Sequence, residues 1–226
     1  MPEHALPAGS PRLAVPLDLG TLDAQPLRTA RLLVRPLRES DAADVHAYQS
    51  LPDVVAYLPW PVRDRDASAG HTAARASRRV LAADGDAVAL AVVLPGTPSL
   101  GAPGDGRVIG DLTLILVSER HAQVEVGWVL HPDFRGRGYA AEAAGALVDL
   151  AVAAGAHRVA ARVDPDNAGS LALCARLGMR HEGTAREDRW DGDAGWRDTA
   201  VWAVTATERP PASARLGAWL PRLAAG

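Results

Sequence analysis

The 226-residue chain contains no lysine: all 24 basic residues are arginine, set against 27 acidic ones. A formal net charge of −3 leaves no broad basic surface to neutralise a phosphate backbone, so no nucleic-acid partner is expected. A single cysteine, Cys174, excludes an intramolecular disulfide and any site built from several thiolates. The seven histidines include no H-x-x-x-H or equivalent spacing, so no metal site is expected. A membrane span needs ~20 apolar residues, and the most apolar long stretch, residues 140–156, is interrupted by Glu142 and Asp149. The opening MPEHALPAGSPR carries no apolar run after a basic flank, so no secretory signal is read there. A cytoplasmic protein with no membrane association is the expectation.

What is present is ordinary globular material, 48% hydrophobic and 23% charged, at a length suited to one domain with a sizeable core. Residues 1–26 hold five prolines and no clear period, and read as an extension. Its alternating Leu13, Val15, Leu17 and Leu19 suit an arm lying along the domain. Residues 27–208 carry the domain, and residues 209–226, opening on Pro210-Pro211, read as a tail with one short helix. Within the domain, apolar β-type runs fall at residues 31–35, 87–94, 108–117, 123–130, 157–163, 180–190 and 195–207. Helical patterns fall at residues 43–50, 67–83, 139–154 and 167–177, the last with Gly178 placed to end it. Strand runs interrupted by a few helices indicate α+β architecture with a mixed sheet.

The segment richest in chemistry is Arg135-Gly136-Arg137-Gly138-Tyr139-Ala140, which joins a strand to an Ala-rich helix. Glycines let a backbone approach a ligand closely, and the free N–H groups and dipole of a helix start favour an anion such as a pyrophosphate. Arg135 and Arg137 could add charge-assisted contacts. The alternative is a tight turn with solvated arginines. Gly136-x-Gly138-x-x-Ala141, with Asp164 ending the next strand, also fits a dinucleotide fingerprint. Five residues separate the preceding strand from Gly136, however, and no repeated βα units follow Asp164, which weighs against a nicotinamide dinucleotide.

Arg135-x-x-Gly138-x-Ala140, preceded by the strand Glu125-Val126-Gly127-Trp128-Val129-Leu130, resembles the signature of the GCN5-related N-acetyltransferase (GNAT) superfamily. Thr29-Ala30-Arg31-Leu32-Leu33-Val34-Arg35-Pro36-Leu37 and Tyr57-Leu58-Pro59-Trp60 are similar to segments of its RimJ/RimL branch. So are Asn167-x-x-Ser170, Leu177-Gly178-Met179 and Glu182-Gly183-x-x-Arg186-Glu187. Together these segments cover residues 28–205 in the order of that branch.

The resemblance implies a central mixed, mostly antiparallel seven-stranded sheet flanked by about four helices and splayed between strands 4 and 5. It implies acetyl-CoA as co-substrate, no metal, and direct transfer to a primary amine, either a protein N-terminus or a small molecule. A homodimer fits the same resemblance. Trp128, Val129 and Leu130 on the splayed strand, the 135–140 loop and Asn167 would bind the cofactor. The matching position for a general base is Glu125, acting through a water; a solvated or salt-bridged strand carboxylate is the other reading. Position 174, where many relatives carry a tyrosine acid, is cysteine, and Ser170 is the nearest replacement. Ser170 also reads as an ordinary first-turn residue and Asn167 as a plain N-cap. Cys174 reads as a small buried core residue. Tyr57 and Trp60 would line an acceptor pocket or serve core or surface, and Arg75, Arg78 and Arg79 read as a solvated helix face. A protein of this fold that binds acyl-CoA without turnover is the alternative to an enzyme.

Overall fold

The computed structural model describes residues 12–101, 103–192 and 195–209. In chain order the elements are β1 (Leu17–Asp18), β2 (Leu27–Arg28), β3 (Leu33–Pro36), α1 (Ala42–Gln49), α2 (Pro52–Val55) and α3 (Arg65–Ala76). Then come β4 (Val80–Leu81), β5 (Ala87–Leu94), β6 (Arg107–Ser118), β7 (Gln123–Leu130) and α4 (Tyr139–Ala153). The chain closes with β8 (Arg158–Val163), α5 (Ala168–Arg176), β9 (Arg180–Trp190) and β10 (Trp196–Thr205).

Eight strands form one sheet in the order β2-β3-β5-β6-β7-β8-β10-β9. All neighbours are antiparallel except β7 and β8, whose parallel pairing stops after Glu125↔Ala160. Beyond that point the two strands part, as expected between strands 4 and 5 of the sequence reading. The eighth strand is the two-residue β2, and β1 pairs separately with β4. Among the described residues there are five α-helices, where about four were expected, because Pro52 starts the short α2 just after α1 ends.

Helices cover both faces, and β5 shows why. Val88, Leu90 and Val92 join one buried cluster with α4, while Ala89, Ala91 and Val93 join another with Val45 and Tyr48 of α1. A continuous apolar strand with period two needs cover on each side. Helix ends follow local chemistry. Asp64 accepts from the Ala67 N–H at the start of α3, and Asn167 accepts from the Ser170 N–H at the start of α5. Gly178, at φ 76°, ends α5, with Met179 N–H returning to the Cys174 carbonyl at 3.1 Å.

The boundary expected after residue 26 falls inside packed structure. Leu17, Leu19 and Leu22 are at most 1% exposed, β1 pairs with β4, and the Ala14 N–H donates to the Ala154 carbonyl. This also corrects the helix expected over residues 67–83, which ends at Ala76. Arg79 gives its carbonyl to Leu19, and Leu81 lies opposite Leu17, so this stretch pairs with the N-terminal segment. At the other end, Arg209 bonds Asp149 and the Leu177 carbonyl; the short helix expected further on lies outside the described residues. Among the described residues no helix is long and apolar enough to cross a membrane.

Candidate active site

Where β7 leaves β8 a cleft of about 520 Å³ opens, lined by Trp128, Val129 and Leu130, by the start of α4, and by the start of α5. Asp53, Val54, Tyr57 and Leu58 close it from the side of α2. The His131 N–H donates to the Ile109 carbonyl on β6. Peptide groups alternate along a strand, so those of Leu130 and Trp128 turn the other way, into the gap left by β8. No strand pairs with them past Glu125↔Ala160, and the Leu130 carbonyl accepts from Arg135 Nε.

The loop entering α4 turns on Gly136 at φ 74° and Gly138 at φ 80°, conformations costly to other residues. No side chain caps α4, and its first internal bond runs from the Glu142 N–H to the Gly138 carbonyl. The N–H groups just before Glu142 therefore point free at the helix's positive end, beside the cleft. Arg135 lines the cleft and donates from Nε to the Leu130 carbonyl at 3.3 Å. Of the loop residues singled out in the sequence, Arg137 alone is not part of the lining. Its carbonyl accepts from Arg31, and its guanidinium stands 5.9 Å from the Phe134 ring centroid.

Glu142 anchors this loop to the start of the domain, accepting from Thr29 Oγ1 at 2.6 Å, Arg31 N at 2.8 Å and Arg31 Nε at 2.7 Å. Burial pushes its carboxyl up, but these hydrogen bonds outweigh that and hold it below the usual range. Asp164, the acid of the dinucleotide alternative, is buried, with Oδ2 gripped by Arg189 and Arg197 and Oδ1 accepting from the Asp166 N–H.

Ser170 lines the cleft, where its Oγ accepts from Trp128 Nε1 at 3.1 Å while its own O–H remains available to donate. Asn167 lines the cleft too, and its side-chain oxygen caps α5. Glu125 does not line the cleft. It shares a face of β7 with Gly127 and Val129, opposite Val124, Val126 and Trp128, and Val129 is where that face meets the cleft. Burial raises the Glu125 carboxyl, with Arg162 and Arg158 pulling it partly back. Cys174 is fully buried, and burial pushes its thiol up to about 12.

One group of residues escaped the sequence reading. Arg75 is not solvated: its Nη2 pairs with Asp111, which also accepts from the buried Tyr48 hydroxyl at 2.6 Å. Arg79 pairs with Asp23, and of the three arginines only Arg78 lies exposed. The available signal was Asp111 itself, a charge inside the apolar run of β6 that needs a buried partner. Tyr57 lines the cleft, whereas Trp60 packs on His71 and Arg63 outside it.

A model of the acetyltransferase (GNAT) domain matches residues 31–180. The uncharacterized N-acetyltransferase YnaD of Bacillus subtilis (strain 168) is 29% identical over 184 residues, covering 80% of this chain and 98% of YnaD. A GNAT-family acetyltransferase structure from Bacillus anthracis aligns at 26% identity with a TM-score of 0.67, over 81% of this chain and 99% of that one. RimL, a ribosomal-protein alpha-N-acetyltransferase solved with coenzyme A, shares the fold at 16% identity and a TM-score of 0.63, over 78% of this chain and 95% of its own.

Proposed function

The chain belongs to the GNAT acetyltransferase family, and from that premise we propose that it moves the acetyl group of acetyl-CoA directly to a primary amine, in the manner of the RimJ/RimL branch. The observation that carries the reading is the uncapped start of α4, behind Gly136 and Gly138, at the mouth of the cleft between β7 and β8. A pyrophosphate suits that helix start, where free N–H groups and the dipole both favour negative charge, and Arg135 and Arg137 add positive charge nearby. An extended pantetheine arm suits the edge of Trp128 to Leu130 that β8 leaves uncovered, with Tyr139, Ala140 and Asn167 beside it. RimL's complex with coenzyme A supports the same ligand class.

Each remaining step has a residue. An acceptor amine is protonated at neutral pH, with a pKa of ~8 at an N-terminus and ~10.4 on a lysine-type chain. Glu125, raised by burial, takes that proton through a water and leaves the nitrogen lone pair free to attack the thioester carbonyl. A peptide N–H of the splayed β7 edge stabilises the negative charge that develops on the carbonyl oxygen. As the C–N bond forms and the C–S bond breaks, the Ser170 hydroxyl donates its proton to the departing thiolate, and the proton that the nitrogen sheds on becoming an amide restores the hydroxyl. Trp128 Nε1 holds Ser170 with its oxygen lone pair engaged and its hydrogen free.

The test is thiol release from acetyl-CoA against a panel of N-terminal peptides, polyamines and aminoglycosides, with product masses read directly and an acceptor-free blank. Acetylation of at least one class above the blank is expected. Retention of coenzyme A with no acetylated product from any class would overturn the reading in favour of a non-catalytic acyl-CoA sensor.

A further inference from the structure

On the Glu125 face of β7, outside the cleft, lies a cluster of polar side chains that the mechanism above does not use. Arg63 and Trp60 stand on the segment between α2 and α3, His71 and Arg75 on α3, and Gln49 at the end of α1. Trp60 and His71 lie with ring centroids 5.4 Å apart, and the Arg63 guanidinium stacks 5.0 Å from the Trp60 ring centroid. The Arg63 N–H donates to the Gln49 carbonyl at 3.4 Å. Trp60 Nε1, Arg63 Nη1, Arg75 Nη1, His71 Nδ1 and Gln49 Nε2 are all buried without a hydrogen-bond partner. Gln49 is wholly buried, so its amide has no route to solvent.

Buried polar atoms are almost always paired, so five orphans in one place need a cause. Four of the five atoms are obligate donors. Their charge is also unbalanced. Asp111 neutralises Arg75, while no described carboxylate pairs with Arg63. Arg63 is half-buried, and a water molecule could accept hydrogen bonds here without adding a counter-charge. An anion does both. Burial and the two guanidiniums hold His71 down to about 4, so it stays neutral.

The cluster adjoins the reacting strand. Arg75 also donates to Thr113 Oγ1 at 3.3 Å, and Thr113 lies opposite Gly127, two residues from Glu125. A side chain at Gly127 would meet nothing nearer than the Thr113 Cβ, at 3.9 Å, so the floor between Glu125 and Arg75 is open backbone. Asp111, held by Arg75, lies opposite Val129, which lines the cleft.

We infer that the acceptor is an amine that also carries an acidic group, a carboxylate or a phosphate, whose oxygens accept from Arg63, Arg75 and Trp60 while its amine lies over Gly127 toward Glu125. This rests on the acetyl-transfer reading and narrows it. The acid comes from a small molecule or from an acidic residue or terminus of a short peptide, two sources with the same chemistry.

The experiment compares matched acceptors that differ only in the acid. These are an amino acid against its amide, a short peptide with an acidic second residue against the carboxamide form, and a phosphorylated amino alcohol against the free alcohol. Wild type, Arg63→Gln and Arg63→Lys are assayed with acetyl-CoA, and binding of each acceptor is measured calorimetrically with coenzyme A present. In at least one pair the acidic member is expected to show kcat/KM about 10- to 100-fold higher, the range of a charge-assisted hydrogen bond. Arg63→Gln should erase that preference through KM, change the neutral member by less than about twofold, and be partly rescued by lysine. The pair with the larger effect identifies the source. Equal rates and equal binding within every pair, or a preference that survives Arg63→Gln, would overturn the inference and leave acetyl transfer standing. Acid-selective binding that depends on Arg63, with no amine acetylated, would support the anion site and overturn acetyl transfer.

Discussion

Trp128 on β7 donates from Nε1 to Ser170 Oγ on α5 across 3.1 Å, so one hydrogen bond joins the two walls of the cleft. It also orients the hydroxyl, since an oxygen that accepts from an indole presents its own hydrogen elsewhere. Ser170→Ala is expected to lower kcat by about 10²-fold or more, the usual weight of a general acid, with little change in KM for acetyl-CoA. Trp128→Phe removes the orienting donor and keeps the hydroxyl, so its loss of kcat should be smaller. Steady-state kinetics on both variants decides; wild-type kcat in Ser170→Ala would reduce Ser170 to a first-turn helix residue.

Glu125 offers a pH test. Burial raises its carboxyl above 4.5 in the folded protein, so ionising it weighs against the fold. Its contribution to stability is therefore fully present below about pH 4.5 and is lost as pH rises through the raised value. The acid limb of kcat/KM should lie above pH 4.5 and disappear in Glu125→Gln. That variant should also lose about 10²–10⁴ in kcat. Thermal melts at pH 7 should find it no less stable than wild type. An unchanged pH profile would make Glu125 a strand carboxylate serving Arg158 and Arg162.

Glu142 shifts the opposite way. Hydrogen bonds from Thr29 and Arg31 lower its folded value, so the stability it brings is fully present above its unfolded value and is lost as pH falls through the lowered one. Glu142→Gln should lower Tm at pH 7 and flatten the acid limb of a Tm-against-pH curve below pH 4.5. Identical curves for the two proteins would mean that this anchor contributes nothing.

The N-terminal segment belongs to the core, which Leu22, with 0% exposure, can test. Leu22→Ala should destabilise by about 2–5 kcal/mol in urea titration, as other buried leucines do. A change below about 0.5 kcal/mol, the range of surface substitutions, would return residues 12–26 to the status of an arm.

Cys174 should resist alkylation in the native protein and react once unfolded, because a thiol near 12 holds almost no thiolate at neutral pH. Cys174→Ala should keep wild-type kcat. Modification of native protein with loss of activity would reopen a thiol role.

Much was legible because it is local. The strands at 87–94 and 123–130 are bounded as their apolar runs suggest, and the 135–140 loop enters a helix beginning at Tyr139. Glycine spacing, N-caps and period-two or period-3.6 patterns act over a few residues, so they can be read without knowing what lies opposite. Two readings fell short for the opposite reason. Leu17 and Leu19 read as part of an extension outside the domain because β4, the strand that pairs with β1, lies some sixty residues away and has only two residues of its own. Arg75 looked solvated because its helix is polar, and nothing adjacent in sequence announces that Asp111 and Tyr48 await it.

The chain's own residue pattern determined the architecture, the glycine-led start of α4 and the family, since each follows from short spacings and their order. Only the tertiary structure decided which face of β7 each candidate occupies, with Ser170 in the cleft and Glu125 beside it. It alone gathered Gln49, Trp60, Arg63, His71 and Arg75 around shared unpaired donors. Pairing across a sheet and burial of charge depend on residues far apart in the chain, and no local period encodes which distant partner arrives.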